Sequence, residues 1–359
     1  MKRRTQRVDK LAQVYDEEIL PLWSMRFGRM LLRHVEAPPK AMVLDVGCGT
    51  GYPALDVLRK LDDQSRIIAI DCASEMLNVA RKKAADLAGR RIFFRTETVK
   101  SRLSFTADVY DVVMANDSLW ELDDPPASVA DFARVAKPGG LVLVTLPMRG
   151  SWGEFYDIYR EVLTKHDHHD ILRKLEEEEQ RYPEPEDAVR WLEQAGLTDI
   201  GIETEQFELL FRSSREFFFA PVVEFGPLPG WKEVAGKGEV MQEIFWHIKE
   251  AIDAYFGDRA FSVTIKAACL HGRKPLVSTA VPKPVEAVTT APTVVAPAAP
   301  PPLPGVAPPK DPSIDEDAST GEIEIATNEI QVVDEVIDSL ATPADEPDEE
   351  DDADDVLRK

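Results

Sequence analysis

The chain has 359 residues, 44% of them hydrophobic, enough for one sizeable core and a small appended unit. Its formal charge of -23 is unevenly placed, with 20 acidic and 4 basic residues from Val277 onward, so that stretch carries -16 and everything before it -7. Neither part has the basic excess of a nucleic-acid binder, no run approaches ~20 uninterrupted apolar residues as a membrane span requires, and Cys48, Cys72 and Cys269 lack the paired spacing of a zinc site or disulfide framework.

The start, MKRRTQRVDK, is charged without a following apolar core, which is unlike a secretory signal. With the unpaired cysteines it points to a cytoplasmic protein. Residues 8–37 carry apolar positions at helical intervals (Leu11, Val14, Ile19, Leu22, Met30, Leu31, Val35), so one or two helices precede the first strand, with Pro21 as the expected break. Met42 to Val46 is a short apolar run holding Asp45 and suits a buried parallel strand. Gly47, Gly49 and Gly51 follow at alternate positions, and Pro53 opens a periodic segment with Ala54, Leu55, Val57, Leu58 and Leu61. Strand, glycine loop and helix together form a nucleotide-type cofactor site, where the backbone approaches the ligand and the helix start offers free N–H groups.

Further strands are expected at 66–70, 91–95, 110–115 and 141–146, alternating with helices after Ser74, expected to cap its helix, and at 127–135. Lys137-Pro138-Gly139-Gly140 reads as a turn before the fifth strand. Residues 152–180 are helical and heavily charged, and 185–195 form a helix closed by Gly196. Strand signals at 198–211 and 262–270 enclose an aromatic insert, SSREFFFAPVVEFGPLPGW, and a helix at about 237–256. This insert is expected to cover the active-site edge of the sheet. From Leu276 the character changes. Residues 282–312 hold eleven prolines and cannot assemble a core, and the end, DEPDEEDDADD, is a solvated acidic tail. Between them Ile330, Val333, Ile337 and Leu340 fall at helical spacing, the one feature that offers the tail a protein partner.

Asp71 stands 20 residues after Gly51 at the second strand's tip, where a carboxylate can accept from both ribose hydroxyls of an adenosyl group. Asp45, in an otherwise apolar strand, must find donors among the loop amides or a bound cation. Cys48 and Cys72 flank the two loops and read as small residues with room beside a ligand rather than as reactive thiols. His166, His168 and His169 form KHDHHD; three-residue spacing could give a metal pair, but a solvated charged helix is the preferred reading, and no metal is expected.

A dinucleotide fingerprint places its third glycine one residue later than Gly51. Positions 43–51, VLDVGCGTG, instead resemble residue for residue the first motif of the class I S-adenosylmethionine (SAM) methyltransferases. The resemblance is specific over about 40–147, looser over 8–39 and 183–272, and absent in the tail. It implies an α/β fold with a doubly wound, Rossmann-like seven-stranded sheet whose last strand is antiparallel. The methyltransferase domain would cover 1–275, with N-terminal helices at 8–37, a core at 40–150 and a cap and last strands at 151–275; a disordered linker and tail would occupy 276–359.

The same resemblance implies SAM as cofactor, held by Asp45, Gly47, Cys48, Gly49, Thr50, Gly51, Asp71, Cys72, Met76, Glu97, Thr98 and Asn116. Asp71 would take the ribose and Glu97 the adenine amino group, although Thr96-Glu97-Thr98 departs from the family's frequent G-D-A pattern. The stretch NDSLWELDDPPASVADFARVAKPGG resembles the small-molecule branch that includes quinone-biosynthesis and malonyl-carrier-protein methyltransferases. There Trp120 and Tyr15 would meet the substrate, and Glu121, Asp117, Tyr15 or a histidine would serve as base where one is needed. Trp120 and Phe217-Phe218-Phe219 suggest an apolar acceptor pocket, though three adjacent Phe fit core and lid packing equally. The expected activity is methyl transfer to a small or carrier-bound acceptor. The alternatives are a protein or peptide methyltransferase recruited through the tail and a methyltransferase-fold interaction protein without catalysis.

Overall fold

The computed structural model describes residues 10–98, 102–119, 122, 124–257 and 259–276. Seven strands form one sheet: β1 (Met42–Val46), β2 (Arg66–Asp71), β3 (Ile92–Thr96), β4 (Tyr110–Asn116), β5 (Ala136–Pro147), β6 (Thr198–Phe211) and β7 (Phe261–Arg273). Their spatial order is β3-β2-β1-β4-β5-β7-β6. The first five are parallel, and β7 inserts antiparallel between β5 and β6. This is the expected doubly wound fold with its antiparallel last strand. The strand order reverses between β1 and β4, and in such sheets a ligand crevice opens at the strands' carboxyl ends there.

Binary pattern explains the layering. β4 is buried along nearly its whole length, as a central parallel strand covered on both faces should be. Leu44 and Val46 of β1 enter the core on one face of the sheet, with Val129, Phe132 and Val135 of the helix Pro125–Val135. Val43 enters the core on the other face, with Phe27, Met30 and Leu31.

The N-terminal segment differs from expectation in where it breaks. A π-helical turn, Tyr15–Ile19, runs into Leu20–Leu22, and the bend falls at Trp23 (φ -118°, ψ -80°), with Pro21 inside the short helix. Proline there has no N–H to give the helical ladder, and the helix closes at Trp23, two residues after it. Helix α1 (Ser24–His34) then buries Phe27, Met30 and Leu31 against the sheet. The expected Lys137–Gly140 turn survives as a bulge inside β5: Tyr110 pairs with Ala136, and the next pairing is Val112 with Leu141. Gly139 has φ +78°, and its N–H donates to Lys274 O at 2.7 Å.

Helix α2 (Ala54–Lys60) follows the glycine loop, and α3 (Ser74–Ala84) follows β2. Contrary to the sequence expectation, Ser74 does not cap α3; Ala73 is the cap residue, and Ser74 Oγ instead donates to Glu75 at 3.0 Å. The charged 152–180 stretch is two helices, α5 (Gly153–Lys165) and α6 (His169–Glu179), numbered after α4 (Pro125–Val135). Beyond α7 (Pro185–Gln194) and β6, the insert folds as α8 (Ser214–Phe219), α9 (Pro221–Glu224), α10 (Leu228–Ala235) and α11 (Glu239–Phe256).

An aromatic cluster welds this insert to α5. Phe155 stacks on Trp231 at 3.9 Å, Trp231 Nε1 donates to Tyr156 Oη at 3.1 Å, and Tyr159 Oη donates to the Trp231 carbonyl at 3.0 Å. No helix among the described residues is long and apolar enough to cross a membrane. The Pro-rich linker, the acidic tail and its amphipathic stretch lie outside the described residues, which end at Leu276.

Candidate functional site

β1 ends in a loop whose backbone only glycine adopts without strain at three positions: Gly47, Gly49 and Gly51 have φ of +73°, +51° and +99°. Gly47 is constrained a second way. A Cβ there would collide with the Ser118 side chain, whose Oγ donates to Val46 O at 2.8 Å. At Gly49 a Cβ would sit 3.4 Å from the Tyr15 ring, and at Gly51 one would sit 3.2 Å from Ala80. The first two glycines line a crevice, whereas the third lets α3 pack closely on the loop.

The crevice lies at the expected reversal point. Gly47 and Gly49 after β1, Asp71, Cys72 and Ala73 after β2, Met76 from α3, Asn116, Asp117 and Ser118 after β4, and Pro147 at the end of β5 all line it. Asp71 accepts from Gly49 N and from Ala73 N, both at 2.8 Å, one carboxylate oxygen to each. It therefore pins the glycine loop and caps the approach to α3. A carboxylate has about four acceptor sites, so capacity remains on both oxygens.

Asn116 is held by Thr145, whose Oγ1 donates to Asn116 Oδ1 at 2.9 Å, and by Ser24 O, which accepts from Asn116 Nδ2 at 3.2 Å. Asp117 adopts φ +56°, a strained conformation for a residue with a Cβ, and its carboxylate accepts from Trp23 Nε1.

The predicted cofactor residues thus divide. Gly47, Gly49, Asp71, Cys72, Met76 and Asn116 face the crevice, and Tyr15 lies over Gly49 with its hydroxyl 2.9 Å from Ser24 Oγ. Asp45, Cys48, Thr50 and Gly51 sit behind the loop and do not line the crevice. Thr50 Oγ1 donates to Asp16 at 2.5 Å, and Asp16 also meets Lys83 Nζ, so the Tyr15 turn is clipped to the loop. Burial and the nearby Asp45 and Asp71 carboxylates push the Cys48 thiol well up, which leaves it an inert small residue.

Glu97 and Thr98 do not reach the crevice. Glu97 spends its carboxylate on Arg95 and on Ser104, whose N and Oγ donate at 2.9 and 3.0 Å, and so closes its own loop. Trp120 and Glu121 lie outside the described residues.

Phe217, expected as pocket or packing, is fully buried among Phe155, Phe211 and Phe261, and none of the three adjacent Phe lines the crevice. The aromatic wall comes from residues the sequence did not single out: Trp23, Trp152, Tyr182 and Phe225. Trp23 and Trp152 stack at 5.6 Å, and the buried Trp152 Nε1 has no hydrogen-bond partner. Val222, Phe225 and Pro227 come from the insert, as expected of a cover for this edge. Burial holds the Tyr182 hydroxyl well above the ordinary tyrosine range, so it stays a donor at neutral pH.

Electrostatically the crevice is one-signed. Asp71 and Asp117 line it, Asp45 lies behind it, and among the described residues no Lys, Arg or His lines it. Asp45 is fully enclosed with neither carboxylate oxygen hydrogen-bonded. Burial, and secondarily the negative charge of Asp71, push its carboxyl well above the ordinary range. This crevice offers carboxylates and, among its described lining residues, no cation, and the adenosyl group of a positively charged sulfonium fits it.

Residues 43–140 match the model of a methyltransferase domain. The chain is 30% identical over 128 residues to the malonyl-[acyl-carrier protein] O-methyltransferase of Halalkalibacterium halodurans, covering 36% of this chain and 46% of that protein. It is 24% identical over 204 residues to the demethylmenaquinone methyltransferase of Renibacterium salmoninarum (54% and 82%). It is 29% identical over 162 residues to the ubiquinone biosynthesis O-methyltransferase of Hahella chejuensis (45% and 64%). The first of these matches spans under half of the relative's length.

Proposed function

We propose that this chain, whose residues 43–140 form a methyltransferase domain, transfers the methyl group of SAM to a small, flat, largely apolar acceptor, free or carried. The observation that carries this reading is the sign and shape of the crevice: a glycine loop and carboxylates on one side, aromatic rings on the other, and no cation among its described lining residues. The relatives support the acceptor class, since one is named for demethylmenaquinone and another for ubiquinone biosynthesis.

When bound, SAM supplies a methyl group already activated by its sulfonium, so the reaction is an in-line displacement that needs no enzyme nucleophile. What remains for the protein is to bind, orient and exclude water. The remaining acceptor sites of Asp71 suit the ribose hydroxyls, and the open faces of Gly47 and Gly49 admit the ligand close to the backbone. Tyr15 covers the loop from above, and the clip from Asp16 to Thr50 and Lys83 fixes that cover. Trp23, Trp152 and Phe225 give the acceptor a stacking surface, with the unpaired Trp152 N–H and the Tyr182 hydroxyl as donors to its oxygens. Where the acceptor carries a proton, Asp117 is the lining carboxylate that takes it, its orientation set by Trp23.

Calorimetry of the full chain with SAM and with S-adenosylhomocysteine tests this reading. Saturable binding of both is expected. Binding of a dinucleotide in their place, or of none of the three, overturns it. The acceptor is then sought by mass spectrometry in a cell extract, as a product one methylene heavier that requires both the protein and SAM.

A further inference from the structure

The sequence offered His166 and His169 as a pair, and the fold separates them. His169 begins α6 and lies 3.7 Å from Asp167. His166, the residue that closes α5, instead turns toward α11. There its ring stacks on His247 at 3.8 Å and 25°. Glu243 stands one helical turn before His247, and its Oε1 lies 3.9 Å from His247 Nε2. One ligand atom from each of His166, Glu243 and His247 falls within 4.8 Å of the others.

We propose that His166, Glu243 and His247 form a zinc site, with water as the fourth ligand, that staples α11 of the insert to the end of α5. Three independent features carry this. Two imidazoles and one carboxylate are a donor set of zinc type, and a site with three protein ligands leaves one position for water. Glu243 and His247 are four apart on one helix, so α11 presents them on the same face without any loop having to order. The third ligand comes from a different element, as in a crosslink, and α5 already packs on α11 through Tyr159 and Phe245 at 5.9 Å. A tetrahedral ion with ligands about 2.0–2.2 Å away holds them roughly 3.3–3.6 Å from one another, so the ligand atoms must draw together by no more than about 1.5 Å to close the set. Softer and borderline divalent ions outrank magnesium and calcium at such donors.

The site shares no residue with the crevice, so it stands or falls separately from the proposed activity. The test is calorimetric titration of the untagged full chain with ZnCl2, calcium and magnesium serving as controls. One tight site per chain for Zn2+ and none of comparable strength for Ca2+ or Mg2+ is expected. His247→Ala should weaken that site at least tenfold, and His166→Ala likewise. Glu243→Gln, on an exposed position that folding does not need, should weaken it about threefold or more. Zinc affinity unchanged from the native chain in either Glu243→Gln or a folded His166→Ala would place the ion on other groups and overturn the proposal, as would the absence of a tight site in the native chain. Loss of fold in a histidine variant leaves Glu243→Gln to decide.

Discussion

On one side of the crevice the chain reverses direction within five residues, through Gly47, Gly49 and Gly51, and Asp71 fastens that bend by accepting from Gly49 N and Ala73 N. On the other side rings from four distant stretches, Trp23, Trp152, Tyr182 and Phe225, converge with almost no local pattern to announce them. The first side is a backbone device. Its geometry is set by φ angles and hydrogen bonds that tolerate only particular residues at particular spacings. The second is a packing device, whose requirement is bulk and flatness, and several sequences could satisfy it. The glycine side should therefore respond to substitution by losing the cofactor, and the aromatic side by losing the acceptor alone.

The sharpest way to break that division is at Asp71. Asp71→Ala removes two acceptors of backbone N–H groups and whatever the carboxylate offers the ribose. At about 1.5–3 kcal/mol per hydrogen bond to a charged group, SAM affinity should fall on the order of 100-fold or more. Calorimetry reads this directly, and an unchanged Kd would show that the adenosyl group lies elsewhere. Gly47→Ala should be nearly as damaging, since its φ of +73° and the Ser118 side chain both oppose a Cβ. A stability loss of about 1–3 kcal/mol, measured by denaturant unfolding, accompanies the lost binding.

Legibility followed the same division. The glycine loop, Asp71 and the β-α alternation could be read because turn chemistry and apolar periodicity are local properties of the chain. The seven-stranded sheet and the antiparallel β7 came through resemblance, and the topology bears them out. Trp23 was hidden because it sits in a helical break whose position the pattern assigned to Pro21. Trp152 and Tyr182 lie at helix margins in a charged stretch, and Phe225 follows three more conspicuous phenylalanines, of which Phe217 is core and Phe219 is exposed. Glu97 could not be placed from sequence for a different reason: its partners Arg95 and Ser104 are near in the chain, and the loop they close with it holds it away from the lining residues.

Phe225 tests the aromatic side without risking the fold, because it lines the crevice while remaining 49% exposed. Burying a ring against an acceptor is worth about 1.5–3 kcal/mol in full. For a half-covered ring, Phe225→Ala should lower kcat/KM for the acceptor by about five- to tenfold. SAM affinity should stay within about twofold. A matching loss of cofactor affinity would dissolve the distinction between the two sides.

Asp45 lies behind the loop, and its effect should be smaller and of opposite sign. Its carboxyl is fully enclosed, unpaired, and pushed well up by burial and by Asp71. A carboxyl raised on folding favours the folded state only while it is protonated. That contribution is complete below the unfolded value near ~4 and is lost as the pH climbs toward the raised folded value. Asp45→Asn keeps the shape and removes the titration. At pH 8 the variant should be more stable by about 1 kcal/mol or more, roughly 2–4 °C in Tm for a domain of this size. The gain should shrink steadily as the pH is lowered toward 4. Above the raised value, where the carboxyl ionises, the same change also withdraws a negative charge from behind the glycine loop, so affinity for a cationic sulfonium should fall a few-fold there and stay unchanged below it. A variant that is more stable and, even above that value, binds SAM as tightly as before would mean that Asp45 contributes nothing to the choice of ligand and that Asp71 and Asp117, which line the crevice, carry its charge alone.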